Sequence, residues 1–217
     1  MTENNAGDES MHLTKSRLES LSDGIFAFAM TLLVIGLNLP DKSAIIPTQA
    51  YAINYLFSLY SDFFHYVLAF LILGAFWLSH HIEVHPIRSL DRNYIWLNLG
   101  TLLFVALLPF STSFSGDFNS VSLGAIVFEL NLFAIGMGMY FQWIYATGNN
   151  RLVEPGGLDS RFIRHVGVRT LVVPSISLIG ILIAVTGNLY STVVYLFIPV
   201  VEYLITRVES KSPESPV

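Results

Sequence analysis

From Gly24 to Leu39 the chain has only two polar side chains, Thr31 and Asn38, and Pro40 follows at once. A bilayer core needs roughly 20 helical residues to cross, and the turns before Gly24 supply the rest. Those turns hold Arg17, Glu19, Ser22 and Asp23. A carboxylate at a helix centre in lipid costs about 2.5–3.5 kcal/mol on insertion scales. Asp23 is therefore expected to face protein or water and to have a partner. The stretch reads as a membrane-crossing helix on a charged, hydrogen-bonding foot.

Five further apolar runs follow, and six spans are predicted at about 17–39, 52–81, 92–114, 121–146, 166–186 and 189–207. Helix is the expected form, because isolated spans must satisfy their own backbone hydrogen bonds in lipid, and the runs lack the alternation of a barrel strand. The fold class expected is all-α, a polytopic membrane protein with six transmembrane helices. Hydrophobic residues at 53% and charged residues at 12% agree with that class. There is no Cys, which excludes disulfides and Cys-based metal or redox sites. A net charge of −5 without a basic run points away from nucleic acid. The polar, acidic start does not have the form of a cleavable leader. The organisation expected is a disordered cytoplasmic N-terminus over 1–14, one six-helix unit over 15–207, and a disordered cytoplasmic tail over 208–217.

Ten of the eleven Lys and Arg fall at or before the start of the first span, at or around the links between spans two and three and between four and five, or at the end of the chain; Lys42 is the exception. The positive-inside rule then places both termini in the cytoplasm of a multi-pass cell-membrane protein.

Residues three and four apart share a helix face. Gly24, Phe28, Thr31, Ile35 and Asn38 form one stripe holding both polar residues of the first run. On the residues alone it suits helix packing, where Thr and Asn join membrane helices. The second reading, less favoured on the residues alone, is a water-filled axis, where rings of side chains and apolar constrictions select and gate ions. Asp23 can accept hydrogen bonds, and Arg17, Trp77, His81 and Asn98 can donate them; with Ser22 they form a predicted network at the foot of the first helix. His81 and His85, with Glu83 between them, carry a rival reading as a membrane-embedded metal enzyme. Against it, the cluster ends at Pro86 and reads equally as a polar helix end. Asp62, Glu129 and Glu202 leave an ion- or proton-coupled carrier open.

Arg17, Ser22 and Asp23 resemble the Arg-x-x-x-Phe-Ser-Asp mark of the transmembrane protein 175 family of potassium channels, with Leu21 in place of the Phe. Phe76 to His81 is similar to that family's Trp-x-x-His pattern, and Asp91, Trp96–Asn98 and Leu107–Thr112 are similar to its third helix. The resemblance covers roughly 15–115. It implies a potassium-permeable cation channel, not an enzyme, with no cofactor and with potassium and other monovalent cations as permeant species. Its partners would be membrane lipids and three further copies of itself. The first helix would line the central pore of that homotetramer, with a hydrophobic constriction instead of a carbonyl filter. Phe28 stands where the family usually has Ile or Leu, and Thr31 matches a frequent Thr. The foot network would be structural or would couple to gating.

Overall fold

The computed structural model describes residues 14–37, 40, 48–188, 191–201 and 205. Among them the chain is helical apart from loops and one isolated β-bridge, Ile87 to Val153. The helices are α1 (Lys15–Leu32), α2 (Gln49–Ser58), α3 (Tyr60–Val84), α4 (Arg92–Asp117), α5 (Ser122–Thr147), α6 (Ser160–Thr170) and α7 (Val172–Val185). α1 runs on as a 3-10 turn over Leu33–Gly36, and a second 3-10 segment spans Ser191–Phe197.

Five segments are long and apolar enough to cross a membrane: Lys15–Gly36, Tyr60–Val84, Arg92–Asp117, Ser122–Asn150 and Ser160–Val185. Of the sixth predicted span, 189–207, the described residues form an apolar helix over Ser191–Val201, and Ile205 is helical too; the others lie outside the described residues. The predicted second span, 52–81, is not one helix. It breaks at Leu59, where packing begins: α2 buries no side chain, whereas α3 buries His65, Leu68 and Ala69. The predicted fifth span, 166–186, breaks at Leu171. Pro174 has no N–H to offer Thr170, four residues back, and its ring crowds that carbonyl. The predicted terminal segments lie outside the described residues, Thr14 apart.

α4 and α5 pack along their length, α1 and α3 pack on α4, and α7 and the Ser191 segment pack on α5. Small residues let the backbones approach. Pro174 of α7 sits where a Cβ on Gly136 would be, its Cδ 2.6 Å from that position. Polar pairs cross the α4–α5 seam: Gln142 donates to Thr101 at 2.7 Å and Asn131 to Ser111 at 3.0 Å.

At one end the loops are stitched together. Arg88 N–H donates to the Leu152 carbonyl at 2.8 Å, and its guanidinium pairs with Glu154 at 2.7 Å. Pro155 and Gly156 make a tight turn. Gly156 has φ +72°, and Gly157 N–H returns to Glu154 O at 2.9 Å. Lys15, at the start of α1, donates to the His85 carbonyl at 2.8 Å. All the described Lys and Arg lie at this basic end, on the start of α1, the α3–α4 link, the end of α5 and α6.

Candidate functional site

α1 has two different faces. Leu18, Ser22, Phe26, Ala29 and Leu33 are buried against the bundle. Arg17, Leu21, Gly24, Phe28, Thr31 and Ile35 recur at alternating spacings of four and three, and every one is exposed. Phe28 is 66% exposed and Ile35 68%, although both lie in the apolar part of the helix. No atom lies within 4 Å of where a Cβ on Gly24 would stand. The Thr31 hydroxyl donates to the Phe28 carbonyl at 2.8 Å. Its proton is thereby used inside the helix, while the oxygen keeps lone pairs on the open face.

Behind this face lies a polar cluster joining α1, α3 and α4. Asn98 is fully buried. Its amide donates to Ser22 Oγ at 3.2 Å, and its Oδ1 pairs with His80 Nε2 at 3.0 Å. With oxygen as the acceptor, Nε2 of His80 carries the proton. Ser22 passes its own proton to the Leu18 carbonyl at 3.0 Å. One turn away, Trp77 donates its indole N–H to Asp23 Oδ1 at 2.8 Å.

Four of the six residues predicted for the foot network therefore meet in two sets, Ser22 with Asn98 and Asp23 with Trp77. The other two stand apart. Arg17 is exposed and shares the open stripe with Phe28. His81 is exposed too, and His80 takes the place expected of it. The signal for His80 was periodicity: Leu73, Phe76, His80 and Val84 fall on one buried face of α3, which His81 leaves. Counted from Trp77, the Trp-x-x-His spacing also ends on His80. Asn38, the last residue of the predicted stripe, and Glu202 lie outside the described residues.

The residues of the metal-enzyme reading do not converge. Glu83 is 2% exposed and accepts from Thr170 on α6 at 2.6 Å, while His81 and His85 are exposed. Among the described residues no group of three or more His, Cys, Asp or Glu could hold a metal ion. Glu129 is fully buried inside the bundle, its carboxyl against Gly180 of α7. Asp62 lies against Gly116 of α4, and the His65 ring pairs with the Ser61 carbonyl at 2.8 Å.

Comparison with known proteins matches residues 17–109 to the family described as "Endosomal/lysosomal potassium channel TMEM175". A potassium channel of Streptomyces collinus is 28% identical over 143 residues, which is 64% of this chain and 68% of that one. The mouse "Endosomal/lysosomal proton channel TMEM175" is 30% identical over 101 residues, 45% of this chain but only 20% of the mouse protein. Among solved structures, the fold is similar to that of a lysosomal potassium-selective channel TMEM175 homolog from Chamaesiphon minutus. The TM-score is 0.74 at 19% identity, over 88% of this chain and 97% of that one.

Proposed function

We propose that this chain is a potassium-permeable cation channel of the cell membrane and a member of the transmembrane protein 175 family, whose model matches residues 17–109. Four copies surround the axis, each contributes six spans, and the basic end with both termini faces the cytoplasm. The α1 helices line the pore. The observation that carries this reading is the open stripe of α1: Gly24, Phe28, Thr31 and Ile35 stay exposed while the opposite face is packed.

In this arrangement Phe28 forms an apolar ring that narrows the path, as hydrophobic constrictions do in other pores. Thr31 stands one turn further on, and its donated proton leaves an oxygen aimed at the axis. Four such oxygens replace part of a cation's water shell. Potassium is favoured over sodium because it gives up water more readily. Ile35 extends the apolar wall, and Asn38 lines the extracellular mouth. The Ser22–Asn98–His80 and Asp23–Trp77 bonds hold α1 at its foot, and Arg17 stands at the cytoplasmic entrance.

The test is potassium-driven flux from liposomes holding the purified protein, repeated with Phe28→Ala. The expected result is flux in the parent and higher flux in the variant. Saturable flux unchanged by Phe28→Ala but abolished by Glu129→Gln would mark a carrier and overturn the pore assignment.

A further inference from the structure

α6 carries charge for which the pore has no use. Arg161, His165 and Arg169 recur every four residues and form one basic stripe, with Arg164 beside it. Two ties fix how α6 is turned. The Trp143 indole of α5 donates to the Ile163 carbonyl at 2.9 Å, and its ring meets Phe162 edge-on with centroids 6.3 Å apart. At the last turn Thr170 donates to Glu83 of α3. Val166, Gly167 and Thr170 face inward, while Arg161, Arg164 and Arg169 are exposed.

Beside this stripe a cavity of about 140 Å³ opens between α3 and α6. Its walls include Ile82 and Phe162, both partly exposed, together with His165 and Arg169. Glu83 closes the inner wall, which leaves only the outer rim, with His165 and Arg169, suited to an anion. α7 begins at Val172, which sets Arg169 within a turn of the apolar span.

We propose that this cleft holds the headgroup phosphate of an anionic phospholipid in the leaflet on the basic side. Arginine forks match phosphate oxygens two at a time, and basic pockets between membrane helices at this level attract anionic headgroups. The apolar wall of Ile82 and Phe162 decides for a lipid over a free anion. It offers nothing to soluble phosphate, but it flanks the glycerol and first methylenes of a lipid.

The experiment is native mass spectrometry of the detergent-purified protein titrated with phosphatidylglycerol or phosphatidylcholine. It is independent of ion flux, so it can fail while the channel reading stands. The expected result is one phosphatidylglycerol retained per subunit, with phosphatidylcholine lost. R161Q/R169Q should raise the half-saturating phosphatidylglycerol about thirtyfold. R92Q/R151Q, which removes the same charge at the same end, should change it little. R169Q alone, which removes the arginine lining the cleft, serves if the double variant does not fold, with a smaller shift in the same direction. Equal retention of both lipids, or equal weakening by the two double variants, overturns the site. Displacement of the lipid by millimolar inorganic phosphate overturns the lipid assignment.

Discussion

Asn98→Ala tests whether the foot of α1 is held by directed hydrogen bonds or by shape alone. The substitution deletes two side-chain bonds, to Ser22 and to His80, at a site with no exposure. An interhelical hydrogen bond in a membrane protein averages about 0.6 kcal/mol and reaches about 1.7. Removing Asn98 also strands the His80 Nε2–H, and a buried donor left without a partner costs about 1–3 kcal/mol. The loss expected is about 2–4 kcal/mol. Ser22→Ala strands only the Asn98 amide N–H and should cost less, about 1–3 kcal/mol, because the Asn98–His80 bond survives and Ser22's own proton goes only to Leu18 within its helix.

The assay is unfolding of the purified protein by dodecyl sulfate in mixed micelles, followed by tryptophan fluorescence. Both single variants and Ser22→Ala/Asn98→Ala complete a cycle. The pair should be coupled by about 0.6–1.7 kcal/mol. A stability change for Asn98→Ala within about 0.5 kcal/mol of the parent, the range of an ordinary surface substitution, would refute the reasoning. So would additivity of the two single variants, because the geometry requires them to share one bond.

Thr31→Val is nearly isosteric and sits on an exposed face, so stability should hold while the bi-ionic potassium–sodium reversal potential moves towards zero; no movement would place selectivity at another layer. Asp23→Asn keeps an oxygen for the Trp77 indole, whereas Trp77→Phe removes the donor. Thermal melting should therefore show Trp77→Phe as the more damaging, by about 1 kcal/mol, and the opposite order would mean that the charge of Asp23 matters more than its bond.

Much of this architecture is legible in the residues because lipid is a strict solvent. Long apolar runs can only be helices there, so the cores of five spans and the basic end emerge from composition and charge. The exposed stripe follows from spacing, and so does the depth shared by Ser22, Asp23, Trp77 and Asn98. What spacing does not carry is how a helix is turned against its neighbours. His80 and His81 are adjacent and chemically the same, and only the buried stripe through Leu73 and Phe76 separates them. Arg17 is grouped with the network by its place in a motif, yet its angle on α1 puts it with Phe28. The break at Leu171 has a local cause in Pro174. The break at Leu59 has none in its own residues and follows from where the bundle begins to bury α3.

Gly24 separates a pore-facing α1 from a lipid-facing one. A glycine within a helix costs about 1 kcal/mol relative to alanine, and in this subunit nothing crowds the place of its Cβ. If the open stripe faced lipid, Gly24→Ala would relieve that cost and change no function. The stripe, however, repeats at four and three, the pattern that draws helices together in a left-handed crossing of about 20°. On the pore-facing reading, glycine between Leu21 and Phe28 is the position where α1 helices of neighbouring copies would come closest. Gly24→Ala should leave the melting of the solubilised protein unchanged or slightly raised, while potassium flux from liposomes falls several-fold. Unchanged flux at unchanged stability would mean that this face of α1 does not meet its copies, and Phe28 would lose its place at the axis with it.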